Sequence, residues 1–188
     1  MEPKRGRGKT VNPFERAMLN LFVYKLRKGK SVLSLGCGVG IPYEQFLCML
    51  KCVITGVDGD KNAVVQAMVD VPRAKFVCEN ILTYNTKETF NGLLLIDAHQ
   101  HLPKDTHREL FCKANNLLCE EGVLLVTVPP QNAMADGKLY DLDTTVNILD
   151  ECGFKLIVSE NQTEYGIKND LNWVLLRKKP TTTSQMKM

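Results

Sequence analysis

Between residues 31 and 128, short apolar runs alternate with stretches whose apolar residues recur at helical spacing, and this alternation constrains the fold more than any other feature. The runs at 31–35, 52–57, 75–78, 93–96 and 123–128 are strand-sized, while 42–50, 61–69 and 104–118 read as helices. Such alternation builds a parallel sheet covered by helices on both faces. An earlier helix starts at Pro13: Asn12 caps it, Glu15 completes a capping box, and Phe14, Met18, Leu21 and Phe22 follow at helical spacing. After residue 128 the pattern changes. A helix over 143–152 stops at Gly153, and runs at 154–159 and 173–177 follow with no helix between them. Two strands joined by a loop pair antiparallel, here at one edge of the sheet. The expected architecture is α/β: a doubly wound, mostly parallel seven-stranded sheet with an antiparallel strand at one edge and helices on both faces.

A chain of 188 residues, 44% of them hydrophobic, buries a sufficient core as one domain without disulfide staples. That domain is expected over 12–179, between a flexible basic tail at 1–11 and a flexible polar tail at 180–188. No run approaches the roughly 20 apolar residues that span a bilayer, and the basic start lacks the apolar stretch of a secretory signal. A soluble protein of the cytoplasm or nucleus is expected, with no membrane partner. Four of the seven cysteines, Cys78, Cys112, Cys119 and Cys152, sit in apolar runs, which suits reduced, buried thiols. Cys48 and Cys52 have no second pair at zinc-like spacing, so no metal site is expected. Charge is uneven: Lys4, Arg5, Arg7, Lys9, Arg16, Lys25, Arg27, Lys28 and Lys30 face only Glu2 and Glu15 in the first 30 residues, against +3 for the whole chain. This favours an anionic or nucleic-acid partner near the N-terminus, or simply a solvated tail and helix face.

The segment Ser31-Val-Leu-Ser-Leu-Gly-Cys-Gly-Val-Gly40 carries the chemistry. Glycines where a strand meets a helix let backbone approach a ligand closely. The pattern alone is shared by many nucleotide binders. About 20 residues on, the second strand ends at Val57-Asp58-Gly59-Asp60, which places Asp58 at the two hydroxyls of an adenosine ribose, while Asp60 is the better cap for the helix after it.

With these residues the chain resembles the class I S-adenosylmethionine (SAM)-dependent methyltransferases over roughly residues 12–178. Val32-Leu-Ser-Leu-Gly-Cys-Gly-Val-Gly40 is similar to their first motif, which usually has an acid at the position of Ser34, and Val57-Asp58 to the second. Phe76-Val-Cys-Glu-Asn-Ile81 resembles the third, where Asp often replaces Asn80. The stretch from Phe90 to the His101-Leu-Pro103 end, the turn at 117–122 and the segment 149–154 match further family segments in order. The resemblance implies SAM as cofactor. Gly36, Cys37, Gly38 and Gly40 would cradle its methionine and ribose part, Asp58 and Gly59 the ribose, and Asn80 and Ile81 the adenine, with Asp97 also at the cofactor. Gly-x-Gly-x-x-Gly, the commoner dinucleotide pattern, is missing, because Ile41 stands third after Gly38.

Methyl transfer rests on positioning an acceptor lone pair behind the methyl carbon. Where the acceptor carries a proton, Asp97, His99 and His101 at the end of the fourth strand are the candidate bases, and Cys37 is not expected as a nucleophile. A Lys-Asp-Lys-Glu set of the ribose 2′-O type is not matched, since Thr127 and Asn172 occupy the second Lys and the Glu positions; the Asp/Asn-Pro-Pro-Tyr signature is also missing from the fourth strand. A small-molecule acceptor is preferred narrowly over RNA or another nucleic acid. A third reading, a binding module without turnover, rests on Ser34, Asn80 and Asn91 standing where the family often has acids.

Overall fold

A computed structural model describes residues 10–27, 29–130, 139–167 and 171–181. Helix α1 (Pro13–Lys25) precedes β1 (Ser31–Leu35), α2 (Tyr43–Met49), β2 (Val53–Asp58), α3 (Lys61–Asp70) and β3 (Lys75–Cys78). Then come β4 (Phe90–Leu95), α4 (His107–Leu117), β5 (Leu118–Val128), α5 (Leu142–Glu151), β6 (Phe154–Asn161) and β7 (Asn172–Lys178). The strands form one sheet in the order β3-β2-β1-β4-β5-β7-β6. The order reverses beside β1, so the ends of β1 and β4 diverge there and open a crevice, the usual ligand site of doubly wound sheets. Strand β7 is antiparallel to both β5 and β6. The antiparallel strand therefore lies one place in from the edge, and β6 forms the edge itself.

Why these segments fold this way follows from the alternation of side chains along each strand. Leu33, Leu93, Leu95, Leu124 and Val126 point to one face and pack with Phe111 of α4 and Leu149 of α5. Their neighbours Val32, Leu94, Val123 and Leu125 point to the other and pack with Phe14, Met18, Leu19 and Phe22 of α1 and Leu47 of α2. Strands buried on both faces need continuous apolar runs, as these are. Helix α1 begins on the capping box: Glu15 N–H donates to Asn12 Oδ1, and Asn12 N–H to Glu15 Oε2, both at 2.9 Å. Glu15 also receives the Tyr43 hydroxyl at 2.8 Å, which ties α1 to α2.

Several expectations are revised. β5 begins at Leu118 rather than at 123, because Leu118 pairs with Phe90 before a register shift that places Glu121 at positive φ. A 3-10 turn over Lys104–Thr106 leads into α4. Val11, assigned to the flexible tail, is buried against the α1 cluster, and Thr181 of the C-terminal tail hydrogen-bonds Glu120; residues 1–9 and 182–188 lie outside the described residues. Cys112 and Cys152, expected reduced, are joined in a disulfide between α4 and α5, with their Cα atoms 4.7 Å apart. The two helices pack side by side, which brings together cysteines 40 residues apart. No described helix is long and apolar enough to cross a membrane.

Candidate functional site

At the C-terminal end of β1 the chain turns through Gly36 and Gly38, with φ of 77° and 54°. Both Gly36 N–H and Cys37 N–H donate to the Val57 carbonyl, at 2.7 and 3.2 Å, so the turn is tied to the end of β2. A Cβ on Gly36 would lie 2.5 Å from Ala98 Cβ, so this turn and the loop after β4 almost touch. A Cβ on Gly38 would meet nothing within 4 Å, which leaves its backbone open to a ligand. Asp58 Oδ2 accepts from Gly38 N–H at 2.8 Å, and Oδ1 accepts from Asp60 N–H at 2.9 Å. A carboxylate has about four acceptor sites, so each oxygen retains capacity for a hydroxyl. Asp60 caps α3 by accepting from Asn62 and Ala63 N–H groups.

Beyond Asp58, Gly59 is exposed, and a Cβ there would meet only Asn80 Cα at 4.0 Å. This open slot between the ends of β2 and β3 has the place expected for a flat ring. Asn80 is exposed, and its Oδ1 accepts from Leu82 N–H at 2.9 Å. The amide oxygen expected to meet an adenine amino group is thus already engaged in the turn, and its NH2 is the group turned to other use. Ile81 is 7% exposed and belongs to the core below. Burial first, then the charges of Glu44 and Asp58, push the Cys37 thiol up, so it stays protonated.

After β4, Asp97 sits in the left-handed region at φ 55°. Its N–H donates to Thr127 Oγ1 at 2.8 Å, and that hydroxyl donates back to Asp97 Oδ1 at 2.9 Å. Thr127, fully buried on β5, thereby holds Asp97 through one bond to its backbone and one to its carboxylate. The histidines separate. His101 is exposed, whereas His99 is 2% exposed, edge-on to His107 and Phe111 with ring centroids at 5.1 and 5.6 Å. The 3-10 turn at His99–His101 carries the His99 ring into the core. Burial first, then His107 and His101, pushes its pKa down to about 3.

A pH dependence follows. His99 is neutral when folded but protonates near 6.5 when unfolded, so stability is complete above about 6.5 and falls as pH drops toward 3. At pH 5 the loss amounts to about 2 kcal/mol, and His107, also shifted down, acts in the same direction. Urea midpoints measured from pH 7 to 5 should fall for the native chain and fall distinctly less for His99→Phe.

Other expected residues lie elsewhere. Asn91 stands at the start of β4, at the far end of the sheet, where its Oδ1 accepts from Ser31 N–H and Oγ at 3.2 and 2.8 Å. It braces β1 against β4 and takes no part in the crevice. Of the basic residues, Lys4, Arg5, Arg7, Lys9 and Lys28 lie outside the described residues. Helix α1 runs from the crevice end to the opposite end, where Arg27 pairs with Glu121 at 2.8 Å and Lys30 Nζ donates to the Leu50 carbonyl. Lys25, Arg27 and Lys30 are therefore remote from the crevice, because the helix must descend to feed β1 from below. Arg16, over the Phe46 ring at 5.9 Å, is the described basic residue of this set nearer the crevice end.

Beside α1 runs an apolar groove of about 440 Å³, lined by Phe14, Met18 and Leu21 on one side and Val158, Tyr165 and Ile167 on the other, with Glu160 at its wall. Glu160 pairs with Trp173, and Trp173 with Thr127, so the β6 wall of the groove lies three strands from β4, which Asp97 follows.

Residues 32–122 match the model of a family described as "Methyltransferase domain". The chain is 26% identical over 125 residues to (S)-coclaurine N-methyltransferase of Papaver somniferum, covering 62% of this chain and 35% of that protein. It is 31% identical over 96 residues to 24-methylenesterol C-methyltransferase 3 of Arabidopsis thaliana, covering 46% and 27%. The match thus spans about a third of the length of these curated relatives. Among solved structures, N-methyltransferase NodS from Bradyrhizobium japonicum WM9 superposes with a TM-score of 0.74 at 20% identity, over 89% of this chain and 98% of that one. The same enzyme in complex with S-adenosylhomocysteine gives 0.70 at 21% identity, over 89% and 88%.

Proposed function

This chain belongs, through residues 32–122, to the class I SAM-dependent methyltransferase family, and on that premise we propose that it binds SAM in the crevice between β1 and β4 and methylates a small-molecule acceptor. The observation that carries the reading is Asp58, whose two oxygens each hold one backbone N–H and keep capacity for the two ribose hydroxyls. The open backbone at Gly38 supplies the approach for the methionine and ribose part, with Gly36, Cys37 and Gly40 around it. The slot between Gly59 and Asn80, floored by Ile81, takes the adenine, with the Asn80 NH2 presented to a ring nitrogen. Bound SAM supplies an electrophilic methyl group on a sulfonium. Asp97, locked by Thr127, stands at the acceptor side and takes the proton where the acceptor loses one. His101 is placed to border the acceptor; His99 is assigned to packing beneath it.

One observation favours a small acceptor over RNA: the described basic residues that pointed toward phosphate lie mostly at the other end of α1. The relatives named above act on small molecules by their names, which agrees with this choice.

The test is product analysis: labelled SAM is incubated with the chain and extract fractions of small metabolites, RNA and protein. Label should appear in the small-metabolite fraction; label confined to RNA would reverse the ranking, and label in none would support a binding module. Once an acceptor is known, Thr127→Val should lower kcat by roughly tenfold with KM for SAM unchanged, since it loosens Asp97 without touching the cofactor slot.

A further inference from the structure

Strand β6 closes one edge of the sheet, and among the described residues no strand lies along its outer side. It is 8 residues long, against 4 for β3 at the opposite edge. A long unpaired edge invites another strand, and charged side chains are the usual protection against it. β6 carries two, Lys155 and Glu160, of opposite sign. Their faces are set by a bulge: Leu156 pairs with Leu176 and Val158 with Leu175, so Ile157 is an extra residue. Lys155, Val158 and Glu160, opposite Arg177, Leu175 and Trp173, therefore share the face that carries α1. An unbroken strand would put Lys155 and Glu160 on opposite faces. Both flanks of β6 are apolar. On the α1 face lies the groove that Val158 and the 59%-exposed Tyr165 help to line; on the other, Leu156 is 44% exposed beside Leu142 and Val146 of α5.

We infer that β6 is the surface at which two copies of this chain join, antiparallel about a twofold axis at Val158, with Lys155 of each copy beside Glu160 of the other. A twofold axis between antiparallel strands stands perpendicular to the sheet, so a residue can pair only with one from the same face. With the bulge residue left out of the count, Lys155 and Glu160 lie two places to either side of Val158, so this register brings them together twice. Leu156 then meets Ser159 on the other face, and no like charges meet. Glu160 already accepts the Tyr165 hydroxyl at 3.1 Å, and a carboxylate has acceptor sites for an ammonium as well. The aliphatic stem of the incoming Lys155 lies over the apolar groove whose wall Glu160 forms, which gives that groove its occupant. A foreign strand would require no such symmetry of charge about one residue, whereas a second copy does.

Analytical ultracentrifugation of the full chain tests this. The native chain should form a dimer at concentrations up to about 200 μM. Lys155→Glu and Glu160→Lys each put like charges at both contacts, and each should raise the dimer Kd at least about tenfold. Mixed in equal amounts, the two variants should join as a heterodimer with a Kd within about threefold of the native dimer, since every such contact between them is again a pair of opposite charges. A dimer built on another surface would not be rescued by mixing. Hydrogen exchange of the native chain needs no variant and serves if either one does not fold: amides over 155–160 should slow as the dimer forms, while those of β3 should not change. A native chain still monomeric at about 200 μM, a dimer indifferent to both variants, a mixture that stays monomeric, or unchanged exchange along β6 would overturn the inference.

Discussion

Asp58→Ala is expected to weaken binding of S-adenosylhomocysteine by about 100-fold. The estimate takes two hydrogen bonds from the ribose hydroxyls to a charged carboxylate at about 1.5 kcal/mol each, and about 3 kcal/mol corresponds to two decades in affinity. The same substitution strips Gly38 N–H and Asp60 N–H of their acceptor, so the glycine turn keeps only its two bonds to the Val57 carbonyl as ties to β2. Asp58→Asn separates the two contributions. Its amide oxygen can still receive one backbone N–H, but the charge and one acceptor are gone, so a loss of roughly tenfold is expected. Titration of both variants against native protein checks this, and a loss below about threefold for Asp58→Ala would place the ribose elsewhere.

The largest expected effect on stability is at Trp173. Its indole is fully buried at the junction of the antiparallel β7 with α1 and α2, with Phe14 and Tyr43 rings at 6.2 and 5.7 Å. Trp173→Ala should cost about 3–5 kcal/mol, because the cavity opens between a sheet and two helices that cannot all collapse onto it. The indole N–H has no hydrogen-bond partner among the described residues. Trp173→Phe gives up that unsatisfied donor along with some packing, so its cost should be distinctly smaller, below about 2 kcal/mol. Urea unfolding of the two variants measures the difference.

What the sequence discloses depends on the range of the interaction. The strands β1 and β3 were legible to the residue, since an apolar run between a helix and a turn has little else to become. The capping box at Asn12 and the Asp60 cap were equally plain, being contacts across two or three residues. The glycine turn and the place of Asp58 could be read because both stand at the end of a strand, which the local pattern marks. Contacts between distant elements were not legible. Nothing in the spacing of Cys112 and Cys152 says that α4 and α5 lie side by side. Nor does the β6–β7 pattern say that the later strand pairs with β5 and leaves the earlier one at the edge.

The site residues divide in the same way. Asp97 was placed correctly at a strand end, but its fixing by Thr127 requires β4 and β5 to be neighbours in register. The use of the Thr127 hydroxyl is a contact between strands, which the sequence around Thr127 does not mark. Ser34 and Asn91 both stand where acids are common in the family, yet for unrelated reasons: one clamps Glu44, the other braces strands at the far end. His99 resembled a candidate base because it is a histidine after a strand, and only the inward turn of the 3-10 segment shows its ring in the core. Charge along α1 says nothing of which end of the helix faces the crevice, and the described Arg27 and Lys30 lie at the far end.

If the glycine turn and Asp58 form a cofactor site, thermal unfolding of the full chain must respond to SAM. A ligand at 100 times its Kd stabilises the folded state by about 2.7 kcal/mol. A saturating rise in Tm with SAM or S-adenosylhomocysteine, with none from an equal concentration of NAD, is the predicted result. Unchanged Tm with SAM and S-adenosylhomocysteine up to the millimolar range would contradict it.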